Sequence, residues 1–598
     1  MFGAHLMTIR AARGDQTRIL TAHSLTMISQ CIPPDFTLQQ LMLWPCFLGI
    51  ATYLFLHFWD QTEPIKSTTA AKQALCAVGI GLALSSITPW MSHPESTGDS
   101  ETSGFLSGIP SFRLRIVLKS YIVYLASLIV SVVGYRISPL HPLSGIPGPL
   151  FPRTSKLFGA WLAWRGNHHL KLKSWHDKYG PIVRTGPNEV SIVDADATHT
   201  VLGAGGIPKG QYYDGRTNLK SSAGTLLVLR GEEHANRRRL WNRGMGSDAL
   251  KEYEGLISTR ANTLIKKLEI MASSSSSIDI AKLISYFTFD FMADFSFGGG
   301  FELLRDSDSS GLLKVLDRFA VQSSIVCQIP WAAFFLDQVL PIGEDVNKFR
   351  RFAAEAAIQR AQAGASSKDL WYHLMDEAGL EKVKPPLANV VVDGSLAMVA
   401  GSDTTVSALS SLFYFLLSDL DCYRRLMEEV DAAYPAGTDP FDVSKHHELE
   451  FMKACINETL RLQPPLATNG SRQIPANSNG RSVAGWFLPP GTNIYIPPYS
   501  LHRDTRYWTS PELFMPDRWL DPNNKPVNSA AFIPFSYGPA NCVGKTLAIQ
   551  EMMMVMTSLL QRFHFSFAED FCPETWPQNL HDHFVSTRGP LLVSVSYR

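Results

Sequence analysis

The stretch Phe535-Ser536-Tyr537-Gly538-Pro539-Ala540-Asn541-Cys542-Val543-Gly544 constrains this chain more than any other. It sets Cys542 in a glycine-bounded loop, and a helical pattern begins at once from Lys545. A cysteine just ahead of a helix N-terminus has its thiolate stabilised by the helix dipole and by unpaired backbone N–H groups. Gly538 and Gly544 permit a tight turn and let backbone approach a large flat group closely, while Pro539 stiffens the loop. A lone cysteine in such a turn is usually an inert buried thiol. With Phe535 seven residues before it and glycines four before and two after, a metal-ligating thiolate is the better reading. Cys31, Cys46, Cys76, Cys327, Cys422, Cys455 and Cys572 are scattered and form no CxxC pair. That spacing argues against a disulfide scaffold and against a zinc site.

The first 140 residues differ from the rest. Leu38–Trp59 carries no charge over 22 residues, Ala74–Met91 is a second uncharged run, and Ile116–Ile137 a third, broken by Lys119 and Arg136 near its ends. A bilayer takes about 20 apolar residues per helix, so residues 1–138 are expected to hold two or three membrane helices. Lysines and arginines flank the runs on both sides, which leaves their topology open. Pro139–Pro152, PLHPLSGIPGPLFP, cannot continue a helix and reads as a stiff hinge,. Residues 153–598 then form the main domain. Ile182–Val193 alternates like two strands around Gly186-Pro187-Asn188. Helices are expected over Leu250–Met271, Leu387–Leu417, Asp421–Tyr434, Glu450–Leu462 and Lys545–Phe563. The fold class is therefore mainly α with a small β portion. Formal net charge is zero, so nothing electrostatic recommends a nucleic acid as partner,.

Three further patterns stand beside the cysteine loop. Ala400-Gly401-Ser402-Asp403-Thr404-Thr405 puts a glycine, an acid and two threonines inside the long apolar helix, where polar groups cost free energy unless they are used,. Glu458-Thr459-Leu460-Arg461 is an i,i+3 pair of a kind common on surfaces, but it is followed by His502-Arg503-Asp504, Trp508, Pro516, Asp517, Arg518 and Trp519. Gly231–Arg243, GEEHANRRRLWNR, carries His234 and Arg238 four apart within a basic run.

In this order and spacing, from about Gly145 to the C-terminus, the patterns resemble the cytochrome P450 family. The resemblance implies that fold, preceded here by transmembrane helices, and haem b held by Cys542 as axial ligand, with Phe535, Gly538 and Gly544 shaping its loop. Gly401 would leave room for dioxygen, while Asp403 and Thr404 would organise water and deliver protons. Glu458, Arg461 and Arg518 would form a buried charge network. The family usually carries Arg or His two residues before the cysteine, on a haem propionate, and this chain has Ala540. His234, standing where the family has Trp, together with Arg238 and Arg472, would then hold the propionates. The loop PFSYGPANCVGK is similar to those of microsomal enzymes of mushroom-forming fungi. The implied activity is insertion of one oxygen atom from O2 into a lipophilic small molecule, such as a terpenoid of secondary metabolism. Electrons would come from NADPH through NADPH–cytochrome P450 reductase, since no GxGxxG turn follows a strand here. Arg237–Arg243 and Lys545 would face that reductase. Tyr212–Leu229, Ala397–Gly401, Leu466–Asn469 and Phe584–Ser586 would touch substrate. Membrane lipid is the further expected partner, with the catalytic domain on the cytosolic side of the endoplasmic reticulum. The alternatives are a reductase-independent isomerase or peroxygenase, and a non-catalytic membrane haem protein.

Overall fold

The computed structural model describes residues 111–216, 223–273, 277–309, 311–332, 342–364, 368–521 and 528–598. The chain divides into two compact units, Met1–Ser144 and Gly145–Arg598, and the division falls within the Pro-rich stretch. Of the three apolar runs, Leu38–Trp59 and Ala74–Met91 lie outside the described residues. The third forms α1, Ser111–Ile137. Among the described residues no helix is long and apolar enough to cross a membrane, so the expected span at Ile116–Ile137 is not found. Tyr121, Tyr124, Ser127, Ser131 and Tyr135 spread polar groups along α1.

The second unit is mainly helical. Its principal helices are α2 Leu157–Arg165, α3 His168–Tyr179, α4 Ala195–Leu202, α5 Gly231–Gly244, α6 Ser247–Ala272 and α7 Ile280–Phe297. There follow α8 Leu312–Gln328, α9 Ile342–Ala363, α10 Leu387–Ser418, α11 Leu420–Ala433, α12 Glu450–Leu462 and α13 Lys545–Leu560. The long α10 starts after the extended Pro386, as proline favours,. It ends at Asp419, whose carboxylate instead accepts from Cys422 N–H and caps α11,. Its polar residues satisfy themselves locally: Ser395 donates to Val391 O (2.7 Å) and Ser402 to Met398 O (2.7 Å),. The phenylalanine-rich α7 is buried along almost its whole length, and with α6, α10 and α13 it forms the hydrophobic core. Helix α13 is shorter than Lys545–Phe563, because Phe563–Phe567 leaves it to pair as a strand.

The β portion is small. Strands β1 (Ile182–Gly186) and β2 (Glu189–Ile192) form the expected hairpin. It extends into a four-stranded sheet through β7 (Asn493–Tyr495), parallel to β2, and β4 (Arg472–Gln473), antiparallel to β7. A second sheet pairs β11 (Leu592–Tyr597) with β3 (Ile278–Asp279) and β8 (Phe563–Phe567), and β5 (Arg481–Val483) pairs with β6 (Trp486–Leu488). The antiparallel pair β9 (His581–His583) and β10 (Val585–Thr587) turns at Phe584. Ser586 N–H donates to Pro465 O (2.8 Å), which ties this hairpin to the segment after α12.

Candidate active site

The cysteine loop is closed on itself. Cys542 N–H donates to Phe535 O (2.8 Å) and Asn541 N–H to Gly538 O (3.0 Å). Gly538 has φ +72°, and a Cβ there would collide with the Leu202 carbonyl at the end of α4, so this position requires glycine,. Gly544 differs: at φ −87°, a Cβ would meet only Met245 Cε, 3.9 Å away. Among the described residues nothing demands a glycine there, which leaves open space beside the loop for a group the chain does not supply. Cys542 itself is exposed, yet burial pushes its thiol up, against Gly544 N–H, Arg238 and Lys545, which hold it down. The two observations agree if the thiol opens onto a space enclosed by protein rather than onto bulk water.

Cations converge on one edge of this space. Lys209 pairs across an isolated β-bridge with Arg472. Burial, reinforced by Arg472, Arg230 and Arg238, lowers the Lys209 ammonium to about 7. Burial and then Lys209, Arg238 and Arg472 lower His234 to about 4, so this imidazole is neutral at physiological pH. Lys209 donates to Leu226 O (2.9 Å), and among the described residues Arg472 Nε meets no hydrogen-bond partner. Arg238 donates to Asn541 O (2.6 Å) and Asn541 Oδ1 (2.8 Å), which anchors the loop directly beside Cys542. Among the described residues no carboxylate pairs with Lys209, Arg238 or Arg472. Burying this much positive charge without a counter-ion is unfavourable, and two propionates would supply the missing negative charge. Thiol, open glycine face and uncompensated cations together fit a haem, with Lys209 and Arg472 placed for its propionates. Lys209 carries no motif of its own, because only folding brings it beside Arg472.

On α10, Asp403 and Thr404 are half-buried, on consecutive positions. Burial raises the Asp403 carboxyl to about 6; Arg588 opposes the rise and Asp317 adds to it. Thr404 donates to Ala400 O (2.6 Å), four residues back on its own helix. Its hydroxyl hydrogen is therefore engaged, and its oxygen remains free to accept. Gly401 has a second neighbour that the sequence did not reveal. A Cβ there would press on the Met292 side chain of α7, so the glycine also permits close packing of two helices.

Glu458, Arg461 and Arg518 come together, all buried, with Glu458 accepting from both arginines. The basic run of α5, by contrast, is not a free docking face. Arg237 pairs with Asp393 (2.9 Å), and Arg239 and Arg243 both pair with Glu381. Acids 130 or more residues away pair with three of its four arginines, which no local pattern foretells. Lys545 stays exposed, and a cavity of about 260 Å³ lined by Lys453, Phe532, Phe535 and Lys545 lies against the loop.

Described parts of three of the segments expected to touch substrate also come together. The 3₁₀ turn Gln211–Arg216 brings Tyr212 within 5.9 Å of the Phe584 ring at the β9–β10 turn. A Cβ on Gly470 would strike the Tyr213 ring, so Leu466–Asn469 lies close by. Cys327 of α8 and Tyr495 complete the cluster. Neither was expected from sequence, since a buried thiol and a strand tyrosine carry no distinguishing local signal.

The cytochrome P450 family model matches residues 149–595. Cytochrome P450 67 from Uromyces fabae is 30% identical over 479 residues, 76% of this chain and 86% of that protein. The cytochrome P450 monooxygenase FCK2 from Fusarium pseudograminearum is 30% identical over 466 residues, 77% and 83% of the two chains. Tryprostatin B 6-hydroxylase from Aspergillus fumigatus is 29% identical over 465 residues, 77% and 82%.

Proposed function

The chain belongs to the cytochrome P450 family and is a monooxygenase, and from that premise we propose that it oxidises a lipophilic secondary metabolite, such as a terpenoid, with NADPH-derived electrons from a partner reductase. The observation that carries the proposal is Asp403: an acid whose pKa is near 6, on the central helix beside an engaged threonine. When bound, haem supplies dioxygen activation, which a thiolate ligand favours by pushing electron density towards O–O cleavage. The protein's own contribution is the proton. A general acid works best with a pKa close to the operating pH, and burial gives Asp403 that value. Thr404 Oγ, its hydrogen committed to Ala400 O, can accept a hydrogen bond from a water and hold it in place. Tyr212, Leu227 and Phe584 offer the apolar surface that a lipophilic substrate needs. An isomerase, which cleaves no O–O bond of dioxygen, has no use for such a proton donor, so Asp403 favours an oxygen-inserting reaction.

The test is reconstitution with NADPH and cytochrome P450 reductase, measuring NADPH oxidised, peroxide released and product formed together. Product should require NADPH. Asp403→Asn should bind substrate normally yet lower product per NADPH by on the order of 10²-fold, with excess peroxide. In the native enzyme coupling should fall as pH rises through about 6, because the protonated donor is lost, and the variant should lack that inflection. Turnover with peroxide alone at the full rate would overturn the reading.

We further propose that the chain resides at the endoplasmic reticulum membrane, with the catalytic unit on the cytosolic side. Supporting this are the uncharged runs Leu38–Trp59 and Ala74–Met91. Exposed Leu150, Phe151, Leu157, Trp161, Trp164 and Trp331 give the second unit an apolar surface of a kind that usually marks an interaction site,. The full chain should stay with the membrane fraction through an alkaline carbonate wash; release into the supernatant would refute integral attachment.

A further inference from the structure

We propose that Arg216 is a specificity determinant that receives a carboxylate of the substrate, so that the enzyme prefers lipophilic acids to neutral analogues; the inference rests on the monooxygenase reading above. Arg216 closes the 3₁₀ turn that carries Tyr212 and Tyr213. Its guanidinium lies 4.0 Å from the centre of the Phe584 ring, against which Tyr212 also packs. The turn is pressed onto α8: a Cβ on Gly215 would strike the Cys327 backbone. Arg216 is therefore held where three substrate-facing elements meet, namely the 3₁₀ turn, the C-terminal end of α8 and the β9–β10 turn.

Several enclosed arginines have acids, since Arg260 has Asp294, Arg360 has Asp369 and Arg461 has Glu458. Arg216, like Arg472 beside the cysteine loop, has none among the described residues, and the Arg216 Nε meets no hydrogen-bond partner there. The groups that face it are Cys327, Tyr212 and Tyr213, whose thiol and phenols burial pushes up and keeps neutral. The nearest acid in the hairpin, Asp582, is engaged elsewhere: it accepts from Thr468 and from Phe584 N–H (3.1 Å). A cation enclosed by a phenylalanine ring, two phenols and a thiol lacks a counter-charge. A planar fork of N–H donors matches a carboxylate in geometry as well as in sign. A ligand that places its carboxylate there would lay its apolar body along Phe584, Tyr212 and Leu227.

The test uses the full-length holoenzyme and the shift of its Soret band on titration. The probes are dodecanoate and 1-naphthylacetate, each beside its methyl ester. The native enzyme should bind at least one acid about tenfold more tightly than its ester. Arg216→Gln should remove that difference by weakening the acid and leaving the ester unchanged, and Arg216→Lys should retain part of it. Equal binding of acid and ester by the native enzyme, or no shift with either acid, overturns the proposal without needing any variant. So does an acid preference that survives Arg216→Gln. Loss of haem from Arg216→Gln but not from Arg216→Lys would assign the guanidinium to a propionate and equally overturn it. The reduced carbon monoxide spectrum separates the two levels. If the native enzyme lacks the thiolate band, the monooxygenase reading fails; if the band is present without acid preference, only the role of Arg216 fails.

Discussion

Replacing Cys542 with serine abolishes the strongly red-shifted Soret band of the reduced carbon monoxide complex, and turnover with it. The substitution exchanges one atom. The loop's closing bond, Cys542 N–H to Phe535 O (2.8 Å), involves only backbone and survives. So do the bonds from Arg238 to Asn541 O and Oδ1 and the glycine-dependent contact of Gly538 with Leu202. The variant should therefore fold with an unchanged circular dichroism spectrum. What it loses is the thiolate, for which a serine hydroxyl at neutral pH is no substitute. The other described cysteines provide the control. Cys327, Cys422 and Cys455 are buried, and Cys572 is exposed beside Glu574 (3.2 Å). Serine at Cys572 should leave the band intact. A thiolate band in Cys542→Ser, or its loss in Cys572→Ser, would show that the ligand has been misassigned.

What could be read in the sequence was local, and what could not was brought together by folding. Helix α12 begins and ends where expected, at Glu450 and Leu462, because its apolar periodicity is strong. Helix α10 is equally plain, since its polar residues bond back to their own helix and do not interrupt the pattern. Gly538 was legible because a positive φ in a tight loop leaves its mark as glycine. Gly401 was legible as a glycine, but its contact with Met292 was not, since Met292 reaches it from another helix. Lys209 was invisible as a site residue, and Arg216 was legible only as one position of the Tyr212–Leu229 segment, with nothing to single it out. The first acquires meaning from Arg472 across a β-bridge and the second from Phe584, and neither partner is near in sequence. The basic run of α5 misled for the same reason, because Asp376, Glu381 and Asp393 arrive from afar to pair with it.

Glu458→Ala should cost about 3–5 kcal/mol of stability, the usual penalty for stranding a buried charge, and should release haem well before the helices melt. Glu458 accepts from Arg461 Nη2 (2.8 Å) and Nε (2.9 Å), Arg518 Nε (3.0 Å), Trp519 Nε1 (3.0 Å) and Met515 N–H (2.9 Å). Removing it leaves two guanidinium groups buried with no acid between them. Replacing the whole network by apolar residues, which rescues some buried ion networks, should fail here. Arg461 also donates to His502 O (2.8 Å), Pro511 O (2.6 Å) and Leu513 O (3.0 Å), and Arg518 to Thr509 O (2.9 Å). Those carbonyls would lose their donors. The consequence reaches the cysteine loop, because the His502 ring accepts from Ile533 N–H (2.9 Å), two residues before Phe535. Loosening the segment around His502 therefore loosens the approach to Cys542. Glu458→Gln, which keeps acceptors but not charge, should fall between the two. Denaturant midpoints and haem content measured on the same samples provide the check. An alanine variant whose midpoint lies within about 1 kcal/mol of native, with full haem content, would show that the network neither stabilises the fold nor supports the loop.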